Sequence, residues 1–88
     1  GMPLNNRTLR TSHTKQKYVV VALVGGTKKY VARYYFRKHE YEYTVLLNKA
    51  YKGDSQEQAK KVIEWLGLEG RAWILPVEVK MEVLKPYD

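Results

Sequence analysis

An α+β fold in the order β-β-β-α-β is what this sequence predicts, and three observations predict it. A run apolar on both faces, residues 18–24, ends in Gly25-Gly26. Two stretches of period-two alternation, residues 29–37 and 40–47, fit each other as a hairpin. A capped segment with helical spacing, residues 54–67, is followed by a second alternation at residues 77–83. Together they predict a mainly antiparallel sheet of about four strands packed on one helix. The 88 residues suit one domain, with residues 1–16 as a flexible basic arm and residues 17–88 as the folded unit.

The arm, rich in Asn, Thr, Ser and Arg, has no periodic apolar residues to repay the entropy of ordering. Tyr18-Val-Val-Val-Ala-Leu-Val24 is rich in β-branched residues, as expected of a central strand covered on two sides. Gly25 and Gly26 then permit the positive φ of a hairpin turn. A phosphate-binding loop is excluded, because such a loop opens a helix and here a strand follows.

In the second strand Tyr30, Ala32, Tyr34 and Phe36 share one face, and Lys29, Val31, Arg33, Tyr35 and Arg37 the other. In the third, Tyr41, Tyr43, Val45 and Leu47 alternate with Glu40, Glu42, Thr44 and Leu46. With Lys38 and His39 at the tip, Phe36 faces Tyr41, Tyr34 faces Tyr43, Ala32 faces Val45 and Tyr30 faces Leu47. This register predicts an aromatic buried face, with Arg37 beside Glu40, and Arg33 beside Thr44 and diagonal to Glu42, on the other. The tip lacks Gly and Asn, which predicts a wider loop or a bulge there.

Ser55 with Gln58, or Asp54 with Glu57, has the spacing of a helix capping box. Ala59, Val62, Ile63 and Leu66 form the apolar stripe of that helix, and Gly67 ends it. Val77, Val79, Met81 and Val83 alternate with Glu78, Lys80 and Glu82 as the last strand. Pro76 cannot donate to a ladder, so this strand starts near it or lies at a sheet edge.

Charge is unevenly spread. Of the sixteen Lys and Arg that give a net +7, nine precede Glu40, where no Asp or Glu occurs. Such asymmetry points to a polyanion. Lys29, Arg33, Tyr35, Arg37 and Lys38 are therefore the candidate nucleic-acid-binding residues: bases to neutralise phosphates and one aromatic to stack. Tyr51 is a second tyrosine left for contacts. Leu46, Trp65 and Ile74 are large apolar residues that the predicted faces leave partly exposed, and they are the candidate interface for self-association or a protein partner.

Enzyme chemistry finds little to build on. His13 and His39 have no second ligand at metal spacing. Glu40 and Glu42 have Arg37 and Arg33 as predicted neighbours, the setting of ordinary exposed ion pairs. The expectation is a non-enzymatic module with no catalytic residues, metal, cofactor or small-molecule substrate. No cysteine occurs, which excludes disulfides and thiolate sites and fits a cytoplasmic location. The longest apolar run is far short of the roughly 20 residues of a membrane-spanning helix, so no membrane partner is expected.

Tyr18-Val-Val-Val, Lys29-Tyr30-Val31, Asn48-Lys-Ala-Tyr-Lys, Asp54-Ser-Gln-Glu-Gln-Ala-Lys-Lys-Val62 and Trp65-Leu-Gly67 stand in an order that resembles short uncharacterised proteins of phages and prophages of Gram-positive bacteria. The resemblance spans about residues 18 to 84. It implies a small α+β protein and supplies no catalytic residues. A weaker similarity is to AP2-like, integrase arm-binding domains, which run three strands and a helix and read DNA with the sheet. This chain departs from them in its last strand and in Glu40 and Glu42 on the would-be reading face. The sequence thus predicts a binding module, with nucleic acid as its first candidate partner and another protein or a second copy as the alternative.

Overall fold

The computed structural model describes residues 9–35, 37 and 40–85. The chain runs β1 (Ser12–Val24), β2 (Thr27–Tyr35), β3 (Glu40–Thr44), a 3-10 turn (Leu47–Lys49), α1 (Gln56–Trp65) and β4 (Ala72–Glu82). The four strands form one antiparallel sheet in the order β3-β2-β1-β4. This is the predicted α+β architecture. β1 is central, and its valines explain why: Val19, Val20, Val21 and Ala22 are all buried, so both of its faces are covered. Gly25 and Gly26, at φ 59° and 81°, close β1 onto β2 with Val24 opposite Thr27. Positive φ at both turn residues matches the right-handed twist of the flanking strands.

The helix is built as its sequence predicts. The Ser55 Oγ accepts from the Gln58 backbone N–H at 3.2 Å, and the Gln58 side chain accepts from the Asp54 N–H at 2.8 Å. Orphan donors at the helix start are satisfied in this way. At the other end Gly67 adopts φ 66°, its N–H bonds the Glu64 carbonyl, and the Leu68 N–H reaches back to the Ile63 carbonyl at 3.0 Å. This paired arrangement is a Schellman motif, and it drops Leu68, fully buried, under the helix. Ala59, Val62, Ile63 and Leu68 pack on Val20, Ala22 and Val31, with Tyr18, Val24, Tyr43, Tyr51, Leu66, Ala72 and Ile74 around them.

Several expectations are corrected. Residues 12–16, read as part of the arm, belong to β1: Ser12 pairs with Glu82 and Gln16 with Glu78. Their pairing with β4 repays an ordering cost that the arm alone could not meet. Residues 1–8 lie outside the described residues. A bulge sits inside β2, between Val31 and Arg33, while the tip, where a wider loop or a bulge is expected, lies mostly outside the described residues. Val31 stands opposite Tyr43 and Arg33 opposite Glu42, which are neighbours on β3 and so face opposite ways. Val31, expected on the exposed face, is fully buried. Tyr34 pairs with Tyr41 rather than with Tyr43. Phe36, Lys38 and His39 lie outside the described residues. β3 ends at Thr44, so Val45 and Leu47 are exposed rather than buried.

The sheet also splits. β1 and β2 pair only from Val24–Thr27 to Val21–Tyr30. Beyond that point another segment enters between them: the Tyr51 N–H bonds the Val31 carbonyl, and Gly53 exchanges two hydrogen bonds with Tyr18. Tyr51, expected to be left for contacts, is held there against the core. Two ribbons result, β1–β4 and β2–β3, joined at the Gly25-Gly26 end. The molecule is accordingly long, 58 × 23 × 22 Å. Its radius of gyration is 17.6 Å, against about 12 Å expected of a compact chain of this length.

Candidate interaction surface

One helix cannot cover this sheet. The ten residues of α1 span about 15 Å, whereas the eleven of β4 span about 36 Å. α1 lies on one face, over Val20, Ala22 and Val31. β4 gives that face Ala72 and Ile74, which pack on the core, and then Pro76, Glu78, Lys80 and Glu82. Its other face carries Trp73, Leu75, Val77, Val79 and Met81, and no helix lies over them.

Along β4 this helix-free face is apolar, whereas β1 gives it the buried Val21 and Val19 and then Lys17, Lys15 and His13. Trp73, Leu75 and Met81 are 45%, 46% and 63% exposed. Trp73 stands across from Val21, Leu75 from Val19, and Val77 from Lys17. Tyr30 flanks Val21 on the β2 side. A shallow, open depression lined by Val21, Lys28, Tyr30, Val45 and Leu75 extends the surface towards β3. Lys28 lies over the Trp73 ring, 5.6 Å from its centroid, a cation–π contact.

Lys15 and Lys17, opposite Val79 and Val77 on this face, share one partner. Gly53 pairs with Tyr18, which sets Asp54 beside Lys17. Lys17 donates to the Asp54 carboxylate, and Lys15 approaches it at 3.7 Å. The Lys17 hydrogen bond and charge, then the Lys15 charge, hold the Asp54 carboxyl below its ordinary 3.8. The contact therefore stabilises the fold above the unfolded value and is lost as pH falls through the lower folded value. An NMR titration of Asp54 is expected to give a midpoint below that of the denatured chain, returning upward in Lys17→Ala. A wild-type midpoint of 3.8 or more contradicts the contact.

The sequence-derived candidates fall in different places. Lys29 lies opposite Ala22, on the helix side, and is half-buried. Arg33, beyond the bulge, is on the other face, opposite Glu42. Tyr35 pairs with Glu40, and Arg37 is an exposed turn residue. The expected single face of Lys29, Arg33, Tyr35 and Arg37 is thus divided by the bulge; Lys38 lies outside the described residues. On the hairpin's helix side the Tyr41 and Tyr43 rings meet edge to face, centroids 5.3 Å apart. Burial, and next a hydrogen bond with Tyr41, push the Tyr43 phenol up to about 12.

Of the candidate interface residues, Ile74 is half-buried and packs against the core. Leu46 and Trp65 are about half exposed, after β3 and on the last helical turn. Ile74 lies on the edge strand β4, whereas Leu46 follows β3 and belongs to no strand. The residues missed are Trp73 and Leu75, either side of Ile74. Ile74 and Pro76 are apolar too, so the alternation becomes visible only from Val77 onward and its phase cannot be extended backward by hydropathy. The usable signal was length: a helix this short leaves half of such a strand bare.

Among the described residues no group of three His, Cys, Asp or Glu is placed to hold a metal ion. His13 stands opposite Met81. No helix among the described residues is long and apolar enough to cross a membrane. Neither a family model, nor a curated protein, nor a solved structure matches this chain.

Proposed function

We propose that this chain is a non-catalytic protein-interaction module, of the phage type its sequence resembles, which works by burying the helix-free face of its sheet against another protein surface in the cytoplasm. The observation that carries the reading is the row Trp73, Leu75, Val77, Val79 and Met81 on a face that no helix covers. Soluble proteins rarely leave such a contiguous apolar strip bare unless it meets a partner. The slender shape supports the same reading, because the long ribbons add surface without adding core.

Nucleic-acid association has the basic front of the chain in its favour. Geometry favours it less: Lys29 and Arg33 lie on opposite faces, Glu42 stands across from Arg33, and Asp54 holds Lys15 and Lys17. Each carboxylate offsets charge that phosphates would otherwise meet.

The test sets the two surfaces against each other. Wild type, Arg33→Ala/Arg37→Ala and Leu75→Lys/Val77→Lys are titrated with labelled single- and double-stranded DNA and RNA at two salt concentrations. The same proteins are examined for apolar-dye uptake and sedimentation. The expected result is no nucleic-acid binding that depends on Arg33 and Arg37, and a loss of dye uptake or of associated mass in the lysine variant. Salt-sensitive binding that disappears with the two arginines sinks the reading. So does a wild type that matches the lysine variant in both dye uptake and sedimentation.

A further inference from the structure

We infer that the outer edge of β1, from Ser12 to Gln16, captures an extended acidic peptide as an added antiparallel strand, at a site separate from the Trp73 row.

The phase of the β1–β4 ladder shows which backbone groups are open. At one end the Leu23 N–H bonds the Arg71 carbonyl, and at the other the Val83 N–H bonds the Thr11 carbonyl. The register between them runs unbroken from Ala22–Ala72 to Ser12–Glu82. Odd-numbered residues of β1 therefore turn their N–H and C=O groups towards β4, and even-numbered residues turn theirs away. On that outward side β2 pairs with β1 no further than Val21–Tyr30, and Tyr18 bonds Gly53. Beyond Tyr18, no backbone group among the described residues bonds Gln16, Thr14 or Ser12 there. The strand is exposed from Ser12 to Gln16. Neither a proline nor a bulge interrupts this edge, whereas the edge strand β4 contains Pro76, which has no N–H.

The chain itself begins such an addition. Gly53 pairs antiparallel with Tyr18 through two hydrogen bonds, at 3.0 and 2.8 Å. The next residue, Asp54, thereby stands beside Lys17, and its carboxylate accepts from the Lys17 ammonium with the Lys15 ammonium at 3.7 Å. The chain then turns into α1 at Ser55, so the pairing stops and the edge beyond is left bare. A peptide strand continuing along Gln16, Thr14 and Ser12 would set alternate side chains beside Lys15 and His13, as Asp54 stands beside Lys17. Those positions are the non-hydrogen-bonded pairs, in which opposite side chains come closest.

Charge selects the occupant. Residues 9–17 include Arg10, Lys15 and Lys17 and no acid. One Asp54 carboxylate shared between two ammoniums leaves the edge positive. A second copy joined through the same edge would bring its own lysines and no carboxylate, and like charges across a strand pair destabilise it. Lysines on an open edge likewise turn away strands that lack a counter-charge. A strand with carboxylates at alternate positions supplies one. Its intervening side chains would lie on the face of Gln16, Thr14 and Ser12, where Glu78 and Glu82 stand across on β4, so neutral residues fit there.

The experiment titrates the full, isotope-labelled chain by NMR with a blocked peptide of alternating Thr and Glu. A peptide of alternating Thr and Lys and a single-stranded DNA serve as the other probes. The Glu peptide is expected to shift the amide protons of Ser12, Thr14 and Gln16 and to slow their exchange. Those of His13 and Lys15, already bonded to β4, should exchange slowly before it is added. Thr14→Pro removes an outward N–H and no bond to β4, so it should abolish peptide binding with an unchanged far-UV spectrum. Lys15→Glu should weaken binding of the Glu peptide about fivefold or more and favour the Lys peptide instead. Unchanged exchange at Ser12, Thr14 and Gln16 in the wild type overturns the proposal. Equal binding of the Lys peptide, or full binding by Thr14→Pro, overturns it too. So does DNA that binds in place of the Glu peptide and leaves these three amides in fast exchange, since the lysines would then be phosphate contacts. None of these results bears on the Trp73 row, which is tested by the dye uptake and sedimentation of Leu75→Lys/Val77→Lys.

Discussion

Val31→Asp is expected to prevent the chain from folding, whereas Ala32→Ser, one residue along, should shift the thermal midpoint only slightly. Val31 is fully buried between Val20 and Ala22 of β1 and the helix residues Val62 and Ile63. A carboxylate there would have no cation in reach among the core residues. Burying an unpaired charge costs several kcal/mol, about the whole stability of a small domain. Ala32 is the residue of β2 left without a partner on β3 at the bulge, and it is only half-buried. The pair of variants therefore tests the bulge itself. Without the bulge, in the simple register, Ala32 would lie in the core and Val31 outside it. Circular dichroism and thermal melts distinguish the two cases. A folded Val31→Asp with a midpoint near wild type would show the register to be wrong.

Leu68→Ala should destabilise the fold by about 2–5 kcal/mol. Leu68 is the largest fully buried side chain, and it follows the helix rather than belonging to it. Its backbone N–H closes the helix end on Ile63, and its side chain fills the space beneath. Truncation leaves a cavity that neighbours on a rigid sheet cannot collapse to fill. The backbone bonds of the Schellman motif survive the substitution, so the loss reads packing rather than capping. Urea unfolding with an unchanged slope and a lowered midpoint is the expected signature. A loss under 1 kcal/mol would place Leu68 outside the core. Both variants act away from the Trp73–Met81 face, so their effects are separable from those of Leu75→Lys/Val77→Lys.

Local rules account for the elements that are legible in the amino-acid order. Ser55 and Gln58 mark the helix start, and Gly67 its end. Gly25-Gly26 makes the first turn, and the valines of β1 make a strand with two buried faces. Each depends on interactions within a few residues, or on a hydrophobic run with one reading. Pro76 belongs with them, since a residue without an N–H is tolerated in a sheet only where no ladder bond is needed.

The contacts between elements required the assembled chain. Whether Val31 or Tyr30 enters the core turns on a one-residue bulge, and a single extra residue reverses every side chain beyond it. Apolar residues on both faces of β2 gave hydropathy nothing to choose by. The same holds for β4, where Trp73, Ile74 and Leu75 are consecutive. The helix takes Ile74, because Ala72 and Ile74 share the face of Val20 and Ala22. Trp73 and Leu75 are left on the other side. An alternation specifies that a strand has two unlike faces. Which of them is covered depends on where a helix of about 15 Å comes to rest on a sheet more than twice as long.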